Sequence, residues 1–340
     1  MQVLVTGGGG FLGRYICEQL VARGDRVRSF GRGAYPELTA LDVETVRGNI
    51  ANLSDVSDAC QGAEVVFHVA ARPGTYVQPQ PYHETNTVGT QNVVDACRRH
   101  GVSRLIYTSS PSVVFAGVDQ TNIDETTPLA LEWLSTHRSF YSHSKALGEQ
   151  IVLAASDEQL RTCALRPHLI WGPRDQHLIP RLIARAKSGR LRRVGGGKNL
   201  VDMIYVENAA AAHLLAADAL AGEDSPVAGK AYFLSQGEPV NCWEWIDEIL
   251  SLVGLPPVQK SISQTAAWRV GVVLETVYRV LGLSGEPPMT RFLAAQLATS
   301  HWFDISAARR DFGYEPSVST AEGMRRLGEW MNENASEPRA

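Results

Sequence analysis

Several features that mark special classes of protein are missing from this sequence. Its 340 residues include five cysteines, which are odd in number and scattered without the spacing of metal ligands: Cys17, Cys60, Cys97, Cys163 and Cys242. We therefore expect reduced, buried thiols and no metal site. No apolar run is long enough for a membrane-spanning helix, and a predicted strand at Gln2 leaves no room for a signal peptide. These absences predict a cytoplasmic globular protein.

The chain also has no excess of positive charge. Its 32 Lys and Arg stand against 36 Asp and Glu, which gives a formal net charge of -4. We therefore expect no nucleic-acid partner. The hydrophobic content of 44% is ordinary for a folded protein, and the length allows one large α/β unit or two closely packed domains.

A glycine-rich loop follows the first predicted strand, Gln2 to Thr6. Its segment TGGGGFLG has glycines at positions 7, 10 and 13 and runs into an amphipathic helix. Side chains at those positions would keep a pyrophosphate away from the amides at the helix N-terminus. A strand, this loop and a helix in that order predict dinucleotide binding. The residues assigned to it are Gly7, Gly10, Phe11, Leu12 and Gly13.

A tyrosine and a lysine four residues apart form the candidate catalytic pair. Tyr141 and Lys145 would lie on one face of a helix, and the ammonium would lower the pKa of the phenol from about 10 toward the working range. The hydroxyl of Ser110, at the end of a predicted strand, would hold the reacting oxygen. This trio suits the transfer of a proton to or from a carbinol oxygen while a hydride moves at the carbon.

The end of the second predicted strand, Arg26 to Phe30, bears on the choice between NAD(H) and NADP(H). Chains that bind NAD usually place Asp or Glu there for the ribose 2′-hydroxyl, whereas this chain has Gly31, Arg32 and Gly33. NADP(H) is therefore favoured, with Arg32 paired to the 2′-phosphate and Arg14 as a second candidate. The alternative is that Arg32 is a solvated loop residue.

Further cofactor contacts are predicted after later strands. Asn49 and Ile50 would meet the adenine edge, and the small Ala70 and Ala71 would let the backbone lie along the cofactor. His68 and the polar Asn86 are interpreted as packed, hydrogen-bonded residues rather than catalytic ones.

Strands and helices alternate through the first half of the chain. This pattern predicts an α/β fold, a doubly wound parallel sheet of the Rossmann type, with the cofactor-binding domain over residues 1–174. Residues 175–332 are predicted to form a smaller, mostly helical substrate-binding part, some of whose elements return to the sheet. Residues 333–340 are predicted to be a flexible tail.

Two segments of the second part have unusual composition. Residues 181–198 carry seven Lys or Arg and no acid, which fits either a solvated helix face or a site for a carboxylate, a phosphate or an acidic membrane surface. Residues 266–283 are mostly apolar, with three charges. That segment fits a core helix, a lid over an apolar substrate or an interfacial segment in peripheral contact with a membrane.

Taken together, these motifs resemble those of the extended short-chain dehydrogenase/reductases. The resemblance covers essentially the whole chain and is carried, in order, by TGGGGFLG, NTVGTQNVV, LIYTSS, YSHSK, RPHLIWGPRD, GGGKNLVDMIYVEN and DISAARRDFGYEP. Within that family, SSPSVVFAGVD, RPHLIWGPRD and GKNLVDMIYVEN resemble the 3β-hydroxysteroid dehydrogenase branch, which includes the sterol-4α-carboxylate 3-dehydrogenases (decarboxylating). FGRGAYP and GEPPMTRFL resemble the bacterial 2-alkyl-3-oxoalkanoate reductases.

The resemblance implies roles for particular residues. Tyr141 would be the general acid/base, Lys145 would hold the nicotinamide ribose and tune Tyr141, and Ser110 would position the substrate oxygen. The residues implied to lie along the cofactor are Ala70, Pro167 and Ile170. A homodimer through the long central helices is common in the family.

The expected function is NADP-linked oxidation or reduction at the 3-position of a large hydrophobic substrate. That substrate would be a sterol-like alcohol or a branched fatty 3-keto acid, and either can carry a carboxylate. Alternatives with the same fold are a nucleotide-sugar epimerase or dehydratase and a non-catalytic NADP-binding sensor. The apolar segment 266–283 argues against a sugar, and the presence of both Tyr141 and Lys145 argues against a sensor.

Overall fold

Short strands and longer helices alternate along the chain, as the sequence predicts. The computed structural model describes residues 1–222 and 224–335. The strands are β1 (Gln2–Thr6), β2 (Arg26–Gly31), β3 (Glu44–Arg47), β4 (Val65–His68), β5 (Arg104–Thr108), β6 (Gln120–Ile123), β7 (Arg161–Pro167), β8 (Ile170–Trp171), β9 (Arg193–Val194), β10 (Leu200–Val201), β11 (Ile204–Tyr205), β12 (Lys230–Leu234), β13 (Val240–Asn241), β14 (Ser261–Ile262) and β15 (His301–Phe303). The helices are α1 (Phe11–Ala22), α2 (Pro36–Thr39), α3 (Leu53–Cys60), α4 (Gln80–Tyr82), α5 (Gly89–His100), α6 (Leu131–Thr136), α7 (Phe140–Ala154), α8 (Leu178–Lys187), α9 (Val206–Ala219), α10 (Cys242–Leu252), α11 (Gln264–Val280), α12 (Arg291–Ala298), α13 (Ser306–Phe312) and α14 (Thr320–Ala335).

The central sheet is parallel and has seven strands in the order β12-β7-β5-β4-β1-β2-β3. Neighbouring strands end close together, since Thr6 at the end of β1 pairs with Phe30 on one side and His68 on the other. The strand order reverses between β1 and β4, and ligands bind at the carboxyl ends of strands at such a point. The predicted doubly wound α/β sheet is confirmed.

Apolar strands are buried on both faces of this sheet. One face packs against α1 and α9, and the other packs against α3, α5 and α7. All five cysteines are buried and free, as predicted. Burial raises the pKa of Cys17 and of Cys242 to about 12, so both are thiols at neutral pH.

The helical stretch from Gln80 to His100 is not uniform. A π-helical segment, His83–Val88, joins α4 to α5. Asn86 lies in this segment, and its Oδ1 accepts a hydrogen bond from the amide of Arg72 at 2.7 Å while its Nδ2 donates to the Arg72 carbonyl at 3.2 Å. The segment thereby fixes the loop after β4, which borders the site.

The second half of the chain is mostly helical, as predicted, with α8, α10, α11, α12 and α14 around one apolar cluster. Strand β12 returns to the central sheet. The small sheet β13-β10-β15-β6 was not predicted because its strands have only two to four residues.

The last two helices close the chain. Ile305 occupies the N-cap position of α13, and Asp304 Oδ1 accepts a hydrogen bond from the amide of Ser306 at 2.8 Å. Helix α14 continues to Ala335, past the predicted start of the tail at 333. The rest of that predicted tail, 336–340, lies outside the described residues.

The apolar segment 266–283 forms most of α11 and the turn after it. Ala267, Gly271 and Glu275 are buried, but Val273 and Val280 are 59% and 72% exposed. The interpretation as a core helix is therefore wrong for one whole face. Apolar residues occur on all sides of α11, so the sequence pattern does not show which side packs against the protein. Among the described residues, no helix has both the length and the apolar character needed to cross a membrane.

Candidate active site

A groove of about 730 Å³ lies at the carboxyl ends of the central strands. Apart from Arg14, every residue that the sequence assigned to catalysis or to the cofactor lines this groove: Gly7, Gly10, Phe11, Leu12, Gly13, Arg32, Asn49, Ile50, Ala70, Ala71, Ser110, Tyr141, Lys145, Pro167 and Ile170. Among the described residues, no Asp or Glu lines it, whereas Arg32 and Lys145 do. The groove therefore suits a polyanionic ligand.

The glycine loop forms a cradle at one end of the groove. No side chain caps the N-terminus of α1, so its first amides are available to an anion. A Cβ on Gly13 would lie 2.2 Å from the Gly7 carbonyl oxygen, and one on Gly7, whose φ is +74°, would lie 2.8 Å from Ala70 Cα. These glycines therefore permit a close approach of loop, helix and β4, and the cradle fits a dinucleotide pyrophosphate.

The groove is free of carboxylates at the end of β2. The strand ends at Gly31, and the exposed Arg32 forms no ion pair with any part of the chain that the structure describes. The Tyr35 ring covers this loop, since a Cβ on Gly9 would lie 2.1 Å from its Cε1 atom. Sequence reasoning missed Tyr35, which lines the groove without any local motif. Arg14, the second candidate for the phosphate, pairs with Glu18 instead (Nε–Oε1, 3.1 Å).

Tyr141 and Lys145 lie one turn apart at the start of α7. Lys145 is 2% exposed, and its Nζ donates to the Thr108 carbonyl at 2.6 Å. The same Nζ lies 3.9 Å from the centroid of the Tyr107 ring, which is close enough for a cation–π contact. Burial lowers the pKa of Lys145 to about 7, although the carboxylate of Glu149 acts in the opposite direction.

The phenol of Tyr141 does not have the lowered pKa that the sequence predicts. Burial raises the pKa of Tyr141 above its usual value, and a hydrogen bond with Ser110 lowers it by less. Lys145 does not produce the expected lowering, and its amine donates to the Thr108 carbonyl. Ser110 is itself held at the end of β5, where its Oγ accepts from the amide of Ser112 at 3.2 Å.

A buried ion pair lies one turn beyond Lys145 on α7. Glu149 and Arg166 are 1% and 4% exposed, and Arg166 donates from Nε at 3.0 Å and from Nη2 at 2.5 Å to the two carboxylate oxygens. Ser109 Oγ also donates to Glu149, at 2.6 Å. The network joins α7 to the ends of β5 and β7. Sequence reasoning missed it, since only the spacing of Lys145 and Glu149 on one helix face could have indicated it.

A second cavity, of about 300 Å³, opens beside Tyr141, and the side chains of Tyr141 and Leu169 line both this cavity and the groove. The remaining apolar and aromatic lining consists of Tyr76, Val77, Phe140, Phe292 and Leu293. From the basic stretch 181–198, Arg181 lines this cavity, and its Nη2 donates to Glu286 Oε1 at 2.6 Å. The arrangement joins an apolar cavity to an anion-binding groove at one tyrosine.

The two polar residues interpreted as structural make buried hydrogen bonds. His68 Nδ1 lies 2.8 Å from Thr6 Oγ1, and its Nε2 lies 3.0 Å from Thr90 Oγ1. Burial lowers the pKa of His68 to about 3, so the ring is neutral. Asn86 Nδ2 donates to Ser144 Oγ at 2.9 Å, and Ser144 Oγ donates to the Tyr141 carbonyl at 2.8 Å. Asn86 therefore supports the first turn of α7.

Comparison with known proteins agrees with this geometry. The model of the 3-beta hydroxysteroid dehydrogenase/isomerase family matches residues 4–263. A 2-alkyl-3-oxoalkanoate reductase of Stenotrophomonas maltophilia is 49% identical over 96% of this chain and 98% of its own length. A sterol-4-alpha-carboxylate 3-dehydrogenase (decarboxylating) of Homo sapiens is 35% identical over 95% of this chain and 86% of its own length.

Solved structures show the same architecture. MoeE5 in complex with UDP-glucose and NAD is 25% identical, has a TM-score of 0.74, and covers 99% of this chain and 100% of its own. The family model spans most of this chain, and relatives named as reductases and dehydrogenases match it nearly from end to end. The chain therefore belongs to the 3-beta hydroxysteroid dehydrogenase/isomerase family of extended short-chain dehydrogenase/reductases, and it is an NAD(P)-dependent oxidoreductase acting on CH–OH groups.

Proposed function

We propose that the protein reduces the ketone of a large apolar 3-oxo acid, of the 2-alkyl-3-oxoalkanoate type, with NADPH. The observation that carries this proposal is the meeting of the groove and the apolar cavity at Tyr141. A ketone bound in the cavity would have its alkyl body against Phe140, Phe292 and Leu293 and its oxygen toward the groove. The nearly full-length similarity to a 2-alkyl-3-oxoalkanoate reductase supports this substrate class.

Three side chains would perform the proton chemistry. The nicotinamide, when bound, supplies the hydride for the carbonyl carbon. Tyr141 donates its proton to the ketone oxygen, and Ser110 Oγ holds that oxygen with a second hydrogen bond. The raised pKa of Tyr141 keeps the phenol protonated at neutral pH, as an acid must be before it can donate. Protonated Lys145, one turn further along α7, would hold the cofactor ribose.

The binding of cofactor is expected to weaken as pH rises above about 7, because Lys145 has a pKa of about 7 in the free enzyme. A polyanionic cofactor favours the ammonium form, so binding takes up a proton above that pH and the affinity falls by up to about tenfold per pH unit. Fluorescence titrations across this range, with calorimetry in two buffers of different ionisation enthalpy, measure both effects. The variant Lys145→Met is the control. If its cofactor affinity depends on pH as that of wild type does, the pH dependence comes from another group.

NADPH is expected to bind more tightly than NADH, because Arg32 is free to pair with a 2′-phosphate. A charge-assisted hydrogen bond is worth about 1.5–3 kcal/mol, so Arg32→Asp should weaken NADPH binding by about 10- to 100-fold and leave NADH binding nearly unchanged. Nicotinamide fluorescence titrations measure both affinities. Arg269→Asp, which changes an exposed arginine of α11 outside the groove, is the matched control. Tighter binding of NADH by the unaltered protein would contradict the proposal.

Oxidation of a sterol 3-hydroxyl is the second candidate, because sterol-4-carboxylate 3-dehydrogenases are also similar over nearly the whole chain. Turnover assays separate the two: NADPH with a 2-alkyl-3-oxo acid, and NAD⁺ or NADP⁺ with a 4-carboxy-3β-hydroxysteroid. Faster turnover of the oxo acid would support our proposal. Turnover of the sterol alone would overturn it and support the second candidate.

Two further candidates have less support. A nucleotide-sugar epimerase or dehydratase would need polar groups around the sugar, whereas the cavity beside Tyr141 is mainly apolar. An NADP-binding sensor would not need Tyr141 and Lys145 together in the groove. UDP-glucose with NAD⁺ is therefore the negative control in the assay.

A further inference from the structure

The outer face of α11 is an apolar stripe in solvent. Val270, Val273, Val277 and Val280 follow one another at intervals of three or four residues, which places them along one side of the helix. All four are exposed, and so is Leu281 in the turn that follows. The opposite side of α11, with Ala267, Gly271 and Glu275, packs against the protein. A continuous stripe of this kind is unusual on a soluble surface and indicates an interaction site.

The surroundings of this stripe are strongly cationic. Residues 178–198 contain seven Lys or Arg and no acid, and residues 264–283 contain two Arg and one acid, Glu275. That acid is neutralised, because Arg291 Nε donates to its Oε2 at 2.9 Å. Lys187, Arg190 and Arg192 are exposed and form no ion pair within the described residues. Positive charge is therefore concentrated here on a chain whose net charge is -4.

The basic segment is attached to both ends of α11. Strand β9 pairs with β14, which directly precedes the helix. Beyond the helix C-terminus, Glu286 accepts a hydrogen bond from Arg181 Nη2 at 2.6 Å. The basic segment and α11 are therefore neighbours within the same structural unit.

This unit also borders the apolar cavity. Glu275 and Arg279 of α11 line it, together with Phe292 and Leu293 of α12. The helix thus has one side toward the cavity beside Tyr141 and the other toward solvent. A surface that supplies apolar molecules would be separated from the cavity by one helix.

We propose that α11 docks on an anionic lipid surface, with its valine stripe at the headgroup boundary and the exposed cations Lys187, Arg190 and Arg192 against headgroup phosphates. An amphipathic helix with a cationic border binds such a surface in two ways: its apolar side chains are buried at the headgroup boundary, and its cations are attracted to the anionic headgroups. A second copy of this chain is a poorer occupant, because symmetric contact would bring two cationic borders together. The proposal does not depend on which ketone is reduced.

Vesicle flotation of the full chain tests this proposal. We expect flotation with vesicles of phosphatidylcholine and phosphatidylglycerol, little with phosphatidylcholine alone, and release by high salt. The double variant Val273→Glu/Val280→Glu should lower the bound fraction at least about tenfold, and Arg190→Glu/Arg192→Glu should do the same. The matched control is Leu215→Glu, which places the same charge at a 37% exposed apolar position on α9.

Other measurements keep the result interpretable. The change of nicotinamide fluorescence on cofactor binding should be the same in every variant as in wild type. This result would show that each variant is folded, and it makes the vesicle test independent of the test of the proposed function. Wild-type protein that does not float with anionic vesicles at low salt would overturn the proposal, and so would a Val273→Glu/Val280→Glu variant that floats as well as wild type. A wild-type dimer that becomes monomeric in that variant, without vesicle binding by either, would assign the stripe to a second copy.

Discussion

Replacing Tyr141 by phenylalanine is expected to lower kcat/KM for ketone reduction by about 10²- to 10⁴-fold, the range for loss of a positioned acid. The phenol lines both the groove and the apolar cavity, and its interaction with the Ser110 hydroxyl lowers its pKa against the larger effect of burial. Phenylalanine keeps the ring and its packing, so the affinity for cofactor should change little. Steady-state kinetics and a fluorescence titration on the same preparation measure the two quantities.

Tyr82 provides a matched control for this change. Its ring lies 6.5 Å from that of Tyr141, and its hydroxyl accepts a hydrogen bond from the Tyr76 amide at 3.0 Å. Tyr82→Phe removes a buried hydroxyl close to the site without removing the proposed acid, so turnover should stay within a few-fold of wild type. Equal losses in the two variants, or full turnover in Tyr141→Phe, would exclude Tyr141 as the proton donor.

Local motifs predicted many of the residues that line the groove. The glycine loop, the strand ends and the spacing of Tyr141 and Lys145 are each contained in a short stretch of chain. Parallel strands then bring their carboxyl ends to one edge of the sheet, so the assigned residues lie in one groove. The sequence could therefore predict the site from short-range patterns and one rule of topology.

Features that depend on distant contacts or on desolvation were not predictable in this way. The pair of Glu149 and Arg166 joins different elements, and Tyr35 covers the glycine loop from a segment without a motif. The spacing of Tyr141 and Lys145 indicated their proximity but not their burial, and burial reverses the expected direction of the Tyr141 pKa. Apolar residues occur on all sides of α11, so its sequence did not indicate which face is exposed to solvent.

Glu149→Gln is expected to lower the free energy of unfolding by about 3–5 kcal/mol, as when one partner of a buried ion pair is removed. The change leaves the Arg166 guanidinium buried opposite a neutral amide, and its Nη1 already has no hydrogen-bond partner among the described residues. Urea unfolding gives the change as a shift of the midpoint at constant slope. Glu322→Gln, which breaks an exposed pair with Arg325 on α14, should have a much smaller effect.

A second replacement separates loss of the pair from general damage to the core. In Glu149→Gln/Arg166→Met the buried charge is gone, so the double variant should be more stable than Glu149→Gln alone. A double variant no more stable than Glu149→Gln would contradict this account, and so would an unchanged urea midpoint in Glu149→Gln.

The same carboxylate connects stability to the site. Glu149 raises the pKa of Lys145 against the larger effect of burial, so its removal should move that pKa below about 7. The ammonium form would then be lost at lower pH, and the weakening of cofactor binding with rising pH should begin earlier in Glu149→Gln than in wild type. An unshifted pH dependence in a folded variant would mean that Glu149 acts on the fold alone. A shift would identify the buried pair as the element that keeps Lys145 partly charged at neutral pH.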